Sequence, residues 1–444
     1  MHRFLTSTFV RTLSAFVVLL SGYAATHVVH AQTPEQQPLL TLDEAVRLAL
    51  RDNYGIRIAR NEAGIAENNY TLGNAGYLPT LDLTVQQSQN GILSPRTTPA
   101  FGDQSFESSL GLSFTIFDGF ARSARYRRLR VLSGQGQTGA LQTAEATLAQ
   151  VMTRYFDVAS QQQQLDVLKQ AESISQERLD IAALRRDLGS ASELEVRRAQ
   201  VDLNADRAAR LRQEVTLSNT KAALNQALGR DENPLFRVTD SIRVRQDLSL
   251  PALHQTALDQ NKALQLAESS RRVAELTRQE ARADWFPQLD LQLGYGFNDL
   301  TNNIGLASRR PGGFNYGLSA SFDIFDGLDR SRRLQNAQID IENSQLLAED
   351  VRTRVQTELH NTYAAYQNSL QLIDLEQENV NLAEQNVDVA LEQFKQGTIT
   401  SVELREVQTA LLDAHSRLVT ARFEAKSAEI DLLRLSGQLL DSTE

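Results

Sequence analysis

The residues best placed to act on a solute are two glutamates, Glu403 and Glu406. They stand three apart in a stretch of helical spacing, so both carboxylates leave one helix face, one turn apart. Such a pair attracts cations and repels anions. A solvated helix face accounts for the same two residues. In a matching stretch 208 residues earlier, Glu195 takes the place of Glu403 and Arg198 that of Glu406. Arg198 is therefore a candidate tether to Glu403 or Glu406. Covalent and metal chemistry have little to work with. The chain has no Cys and six His. His2, His27 and His30 fall in the first 31 residues, and His254, His360 and His415 have no partner at metal-ligand spacing. There is no HExxH, GxSxG or phosphate loop. No catalytic residue, metal or cofactor is expected.

The N-terminus reads as a signal peptide over residues 1–31. Arg3 and Arg11 are its positive region, Leu13 to Leu20 its apolar core, and Val29-His30-Ala31 a cleavage site before Gln32. The apolar core is short for a bilayer-spanning helix. Cleavage would remove two Arg and no acid, taking the net charge from −10 to −12. An acidic chain is a poor nucleic-acid binder. No later stretch has 18 consecutive apolar residues, so any contact with a membrane must be made by strands.

The elements that would carry these residues are laid down twice. Ser113-Phe-Thr-Ile-Phe-Asp-Gly119 returns as Ser321-Phe-Asp-Ile-Phe-Asp-Gly327. At the same offset, without a gap, Asn53 matches Asn261, Pro79 matches Pro287, Gly189 matches Gly397 and Gly229 matches Gly437. Repeat 1 occupies 32–230, a linker 231–250, repeat 2 251–438, and a short tail 439–444. In repeat 1 the pattern predicts a helix over 41–76, opened by a Thr41–Glu44 capping box. It then predicts strands over 81–89 and 106–117, with a polar loop at about 90–104 between them. From Gly119 to Asn233 there is no Pro, as long helices require. The helices expected there are 120–188 and 192–228, turning at Gly189. Repeat 2 should place strands at 289–297 and 315–325 and long helices around a tip at Gly397. Its heptads are regular: Leu359, Tyr366, Ile373, Val380, Val387 and Phe394 are spaced by seven. After the tip, Val407, Leu411, Ala414, Leu418, Ala421, Ala425, Ala428, Leu432 and Leu435 alternate by four and three, and on the equivalent steps of the two series repeat 1 has Glu172, Arg186, Asp206 and Arg210, which the pattern alone does not explain.

Each strand approaches the ~9–11 residues that cross a bilayer when tilted. Each alternates apolar with small or polar residues, and aromatics gather near the ends, as in an outer-membrane barrel. Four strands cannot close, and hydrocarbon does not tolerate an open edge. The chain must take strands from copies of itself. Two copies give eight strands, a barrel that side chains fill, and the strand count by itself leaves that alternative open; three give twelve, which leaves a pore and is the expectation. The expected fold is thus an α+β membrane protein, a tandem-repeat protomer of long coiled-coil-like helices and four strands. Its homotrimer would form a 12-stranded barrel continued by a helical barrel. The helix of 120–188 would be about 100 Å long.

Strand pairs ending in FDG, the 208-residue duplication and the helix breaks DLGSASELEVRRAQVDL and KQGTITSVELREVQTAL together resemble the TolC family of outer-membrane efflux proteins. The resemblance covers about residues 41–438. It implies a homotrimer in the outer membrane of a Gram-negative bacterium, reaching into the periplasm. It implies an exit duct for tripartite efflux or type I secretion, docked to a periplasmic adaptor and an inner-membrane transporter of RND, ABC or MFS type. The absence of Cys places the chain among members held in the lipid by the barrel alone. The tips at Gly189 and Gly397 would close the periplasmic entrance and meet the adaptor. Glu403, Glu406, Glu195, Arg198 and Phe394 would line the constriction. Where the family can pair an aromatic with a basic residue at the gate, this chain has Phe394 but Ile399, so the latch must differ. Phe117-Asp118-Gly119 and Phe325-Asp326-Gly327 would form the joint between barrel and helices, with the following Arg clusters meeting either headgroups or nearby acids. Two other readings are a structural periplasmic coiled-coil or adhesin stalk, which leaves the four strands unexplained, and an outer-membrane enzyme, which lacks a catalytic constellation.

Overall fold

The computed structural model describes residues 38–91, 102–230, 236–239, 241–302 and 307–440. The expected signal peptide, and residues 92–101 of the expected loop, lie outside the described residues. The elements are β1 (Leu39–Leu40), α1 (Leu42–Asp52), α2 (Tyr54–Asn69), β2 (Thr80–Gly91), β3 (Gly102–Asp118), α3 (Ala121–Asp187), α4 (Glu193–Leu228), β4 (Arg237–Val238), α5 (Leu250–Gln260), α6 (Lys262–Ala283), β5 (Gln288–Asn302), β6 (Ala307–Ser321), α7 (Asp329–Gln396) and α8 (Ser401–Ser436). No helix among the described residues is long and apolar enough to cross a membrane.

The long helices α3 and α7 have 67 and 68 residues. The shorter helices run beside them in two tiers, and a single asparagine joins the tiers in each repeat. Asn53 caps α2 by accepting from the Ile56 N–H at 3.1 Å, while its amide donates to the Ala227 carbonyl at the end of α4, 2.8 Å away. Asn261 does the same, accepting from Leu264 at 3.1 Å and donating to Leu435 at 2.8 Å. This corrects the single helix expected over 41–76. The chain breaks at Asn53, whose extended backbone ends α1 and starts α2, and α2 stops at Asn69. Half of the expected capping box is present, as the Thr41 hydroxyl accepts from the Glu44 N–H.

Of the sevenfold series in α7, all but Ile373 are buried. The described part of the linker is a packed belt. β1 and β4 pair in parallel, and Phe236 and Val238 are buried against Leu148, Val151 and Tyr155 of α3. The Tyr155 hydroxyl donates to the Leu40 carbonyl at 3.0 Å and accepts from the Thr239 N–H at 3.2 Å. In repeat 2 the Tyr363 hydroxyl, one offset later, donates to Leu248. Burial, reinforced by Glu429, pushes the neighbouring Tyr366 phenol up to about 12, so it stays a neutral donor to the Arg245 carbonyl. Leu439, assigned to a tail, is fully buried in this core.

The sheet has the order β2-β3-β5-β6, antiparallel throughout. Register puts Leu83, Leu110, Tyr295 and Phe314 on one face, with Leu81, Leu112, Leu293 and Tyr316 beside them. The opposite face carries Asp82, Gly111, Gly294 and Asn315, then Thr84, Ser109, Gly296 and Gly313. Successive side chains of a strand alternate between faces, and here the alternation stays in phase across all four strands between the register shifts at Thr115/Phe117 and at Gly296/Asn298. The apolar face is bare: Leu81, Leu83, Val85, Phe314, Tyr316 and Leu318 are all exposed. The strands have 12, 17, 15 and 15 residues, longer than expected at the end away from the helices. At the helix end β6 stops at Ser321, not at residue 325. The last residues of β3 are held by β5, down to Asp118 opposite Gln288, whereas β6 is an edge and the same residues of repeat 2 have nothing to pair with.

Replacing Asn53 or Asn261 with Ala removes a cap and an inter-tier bond together. Each substitution is expected to cost about 1–2 kcal/mol, read as a lowered melting temperature of the detergent-purified protein; unchanged melting would show that the tiers do not depend on this residue.

Candidate functional site: the helix tips and the strand-to-helix joints

The two helix pairs turn over at glycines in the left-handed region, Gly189 at φ +74° and Gly397 at φ +78°. At the first tip, Ser192 caps α4 by accepting from the Glu195 N–H. At the second, Thr400 and Glu403 form a full capping box. The Glu403 carboxylate accepts from the Thr400 N–H at 2.7 Å and from its hydroxyl at 2.9 Å. The bond from the Thr400 backbone N–H, then that from its hydroxyl, holds Glu403 below the ordinary carboxylate value. A carboxyl lowered in the fold stabilises it above the unfolded value, and loses that contribution as pH falls through the lowered one. Glu403 is thus engaged at the helix start. Glu406 is exposed on the next turn. Arg198 is exposed too, and no ion pair joins it to Glu403 or Glu406 among the described residues. The tether drawn from sequence is not formed within the chain: α4 and α8 both pack on α3, and α8 reaches α4 through Arg405 and Asp206, further from the tip.

What holds the two repeats together below the tips is a buried charge cluster. Arg405 of α8 donates to both oxygens of Asp206 on α4, at 2.6 and 2.8 Å. Ser175 of α3 also donates to Asp206, whose side chain is only 7% exposed. One turn nearer the tip, the fully buried Arg178 pairs with Asp202 and reaches the Ser401 carbonyl at 3.5 Å. Burial pushes Arg178 down, opposed by Asp202, while the bond to Asp206 pushes Arg405 up. Two cations face two anions, so the cluster is neutral. Closest to the tip, Arg185 ties two residues through three contacts. It lies 3.7 Å from Glu195, donates to the Phe394 carbonyl at 3.4 Å and stands 5.3 Å over the Phe394 ring. Phe394 is fully buried with Leu404 and Ala390. Of the residues singled out from sequence, Glu195 and Phe394 meet, through Arg185; Glu403, Glu406 and Arg198 do not. Arg178, Arg185, Asp202 and Arg405 were missed. The signal was present in Asp206 on an apolar heptad step, since a charge in a seam demands a partner. Glu172 and Arg210, equally out of place there, pair with each other at 2.6 Å.

At the other end of α3 and α7 lie the joints. Asp118 accepts from the Arg122 N–H at 2.8 Å, and Asp326 from the Arg330 N–H at 2.9 Å. Each aspartate thereby holds the first turn of its helix. Between them the backbone runs left-handed twice, through Gly119 and Phe120 and through Gly327 and Leu328. This costs about 1–2 kcal/mol at the non-glycine residue, and it swings the chain from sheet to helix. Each arginine is clasped by aromatics: Arg122 by Tyr77 and Phe114, Arg330 by Trp285 and Phe322. Arg128 pairs with Glu280 at 2.7 Å and Arg333 with Asp284 at 2.9 Å. The Arg clusters therefore serve local ion pairs. Asp118 faces Gln288, Gln288 faces Ser321, and Asp326 follows five residues on, so both joints lie at one end of the sheet. Phe117 stacks edge-on against Phe120 at 5.3 Å. Phe325 lies beyond β6 and is exposed. No group of residues suited to hold a metal is found among the described residues.

A duplicated strand-pair-and-helix-pair chain with one lipid-like sheet face defines a class of outer-membrane channel. Comparison with known proteins agrees. The family described as outer membrane efflux protein matches residues 45–230 and again 253–438. Protein CyaE of Bordetella pertussis is 24% identical over 412 residues, 91% of this chain and 85% of that one. Outer membrane protein TolC of Escherichia coli is 24% identical over 350 residues, 75% of this chain and 69% of the other. The Campylobacter jejuni CmeC outer membrane channel shares the fold at TM-score 0.75 and 17% identity, over 90% of this chain and 86% of that one. The chain belongs to the outer membrane efflux protein family. It is an outer-membrane channel, an exit duct for efflux or secretion.

A double-mutant cycle on Asp206→Ala and Arg405→Ala is expected to return a coupling of about 1–3 kcal/mol by thermal unfolding. Strict additivity of the two losses would show that this pair does not join the repeats.

Proposed function

We propose that three copies of this chain close a 12-stranded barrel in the outer membrane, continued into the periplasm by a helical barrel. The observation that carries this reading is the sheet itself. In the half of the sheet nearer the helices one face is apolar and largely exposed, the other is glycine or polar, and among the described residues both edges, β2 and β6, are unpaired. Lipid accepts the first feature and forbids the last. Three copies satisfy both and leave a lumen lined by Gly, Ser, Thr, Asn and Asp. The joints at Phe117-Asp118-Gly119 and Phe325-Asp326-Gly327 then lie at the periplasmic rim, with the aromatics at the interface.

The tips at Gly189 and Gly397 form the periplasmic entrance and the docking surface for an adaptor. The adaptor joins the duct to an inner-membrane transporter of RND, ABC or MFS type. Transport through the duct is passive. Threefold symmetry sets Glu403 and Glu406 of each copy around the axis just above the tips. Glu406 is the freer of the two, and contributes most to a cation-favouring ring; Glu195 and Arg198 stand on the neighbouring helix of the same constriction.

Purified protein in a planar bilayer should conduct, with a preference for cations that Glu406→Gln weakens more than Glu403→Gln. No conductance would overturn the duct, and unchanged ion preference in both variants would remove the ring.

A further inference from the structure

The junction between the two repeats is a template for the junction between two subunits. In the chain, the second strand of repeat 1 (β3) pairs with the first strand of repeat 2 (β5). The free edges are the second strand of repeat 2 (β6) and the first strand of repeat 1 (β2). Applying the 208-residue offset to the observed β3–β5 register, we propose that β6 pairs with β2 of the neighbouring copy so that Ser321 faces Thr84 of the partner subunit and Ala320 faces Val85 of the partner subunit. This rests on the barrel reading and specifies its interface.

Four observations support that register over any other. First, it carries the alternation across the boundary. Ser113 faces Gln292 on the polar face and Phe114 faces Leu291 on the apolar one; correspondingly Phe322 faces Leu83 of the partner subunit, and both are exposed in the single chain. A slip by one residue would turn every apolar side chain of one strand to the polar side.

Second, the joint is prepared for it. A Cβ on Gly119 would collide with the Ala283 carbonyl and lie 2.8 Å from the Phe286 Cβ, so this close approach requires glycine. The matching Gly327 has nothing within 4 Å. The offset brings it against Ala75 and Leu78 of the partner subunit. Leu328 and Leu78, which stand where Phe120 and Phe286 meet edge-on at 6.3 Å, are both exposed in the single chain.

Third, the helices agree. Inside the chain, α3 runs against α6, with Arg128 on Glu280 and Gln135 on Ser270, and Val131, Thr138, Leu266 and Val273 along this contact are half-buried. Their counterparts Ile339 and Leu346 on α7, and Ile58 and Ile65 on α2, are exposed apolar residues spaced by seven on each helix. The same register sets α7 against α2 of the neighbouring copy with Ile339 level with Ile65 of the partner subunit.

Fourth, a slip by two would keep the faces but would shift the joint and the helices of the next subunit away from the contacts that the template makes at Gly119 and between Arg128 and Glu280. One position differs from the template. Thr115 donates to Asp290 at 2.7 Å, whereas Asp323 faces Asp82 of the partner subunit. Like charges directly opposite weaken a strand pair, and both lie on the polar face. The subunit junction is thus the weaker of the two junctions in the barrel.

The chain has no Cys, so engineered pairs report without background. Facing residues alternate between wide and close spacing, so two neighbouring pairs are tested: Ser321→Cys with Thr84→Cys, and Ala320→Cys with Val85→Cys. Oxidation of the membrane-embedded protein should convert the monomer band of at least one pair into covalent trimer. The slipped pair, Ser321→Cys with Gln86→Cys, should stay monomeric, and the internal pair, Ser113→Cys with Gln292→Cys, should cross-link within one chain. Asp323→Thr, which copies the Thr115 side of the template, should make the uncross-linked trimer more resistant to heat in detergent. Cross-linking of the slipped pair in place of both facing pairs, or loss of heat resistance in Asp323→Thr, would overturn the register while a conducting channel left the duct standing. A protein that neither cross-links nor conducts would overturn both.

Discussion

A strand edge in hydrocarbon has nowhere to put its N–H and C=O groups, and this cost organises the whole molecule. The chain makes two strand pairs and joins them through β3 and β5, but it still presents two edges. Everything else is arranged so that copies can supply what one chain lacks. The apolar and polar faces run across the four strands, the joints sit at one end of the sheet, and the helices leave apolar residues uncovered beside the open edges. On the proposed reading a single copy is an incomplete object, and its stability in the membrane is bound to assembly.

Away from the membrane the constraint changes to one of specificity. Long helices with narrow apolar seams can slide or exchange neighbours, since heptads repeat every seven residues. Polar residues at fixed depths set the registers. Asn53 and Asn261 fix where one tier meets the next, by capping one helix and binding the end of another. Asp206, Arg405, Asp202 and Arg178 fix repeat 1 against repeat 2 near the tips. This cluster has no copy at the matching positions of the duplicated pattern, where Ala414, Arg197, Ala410 and Asn386 stand. The same tandem architecture thus carries one firmly tied junction inside the chain and a differently composed one between chains.

Much of this was legible in the sequence, and for identifiable reasons. The duplication, the FDG joints and the long Pro-free stretches are local or periodic signals, so the order of elements follows from them. The register of alternation gave the two faces of the sheet. What stayed hidden depends on tertiary partners. A break at Asn53 needs the end of α4 beside it. The end of β6 at Ser321 needs the absence of a neighbouring strand. The tether assigned to Arg198 went to Arg405 and Arg185, because which of several arginines finds an acid depends on how two helices face each other, and spacing along one helix does not show that. The charged residues on the heptad steps of repeat 1 announced that something buried would answer them, without saying what.

The central claim is that one chain cannot close its barrel and three do. Native mass spectrometry of the detergent-released protein tests it most directly. The account predicts particles of three chains and no stable monomer; particles of one or two chains carrying the channel activity would contradict it.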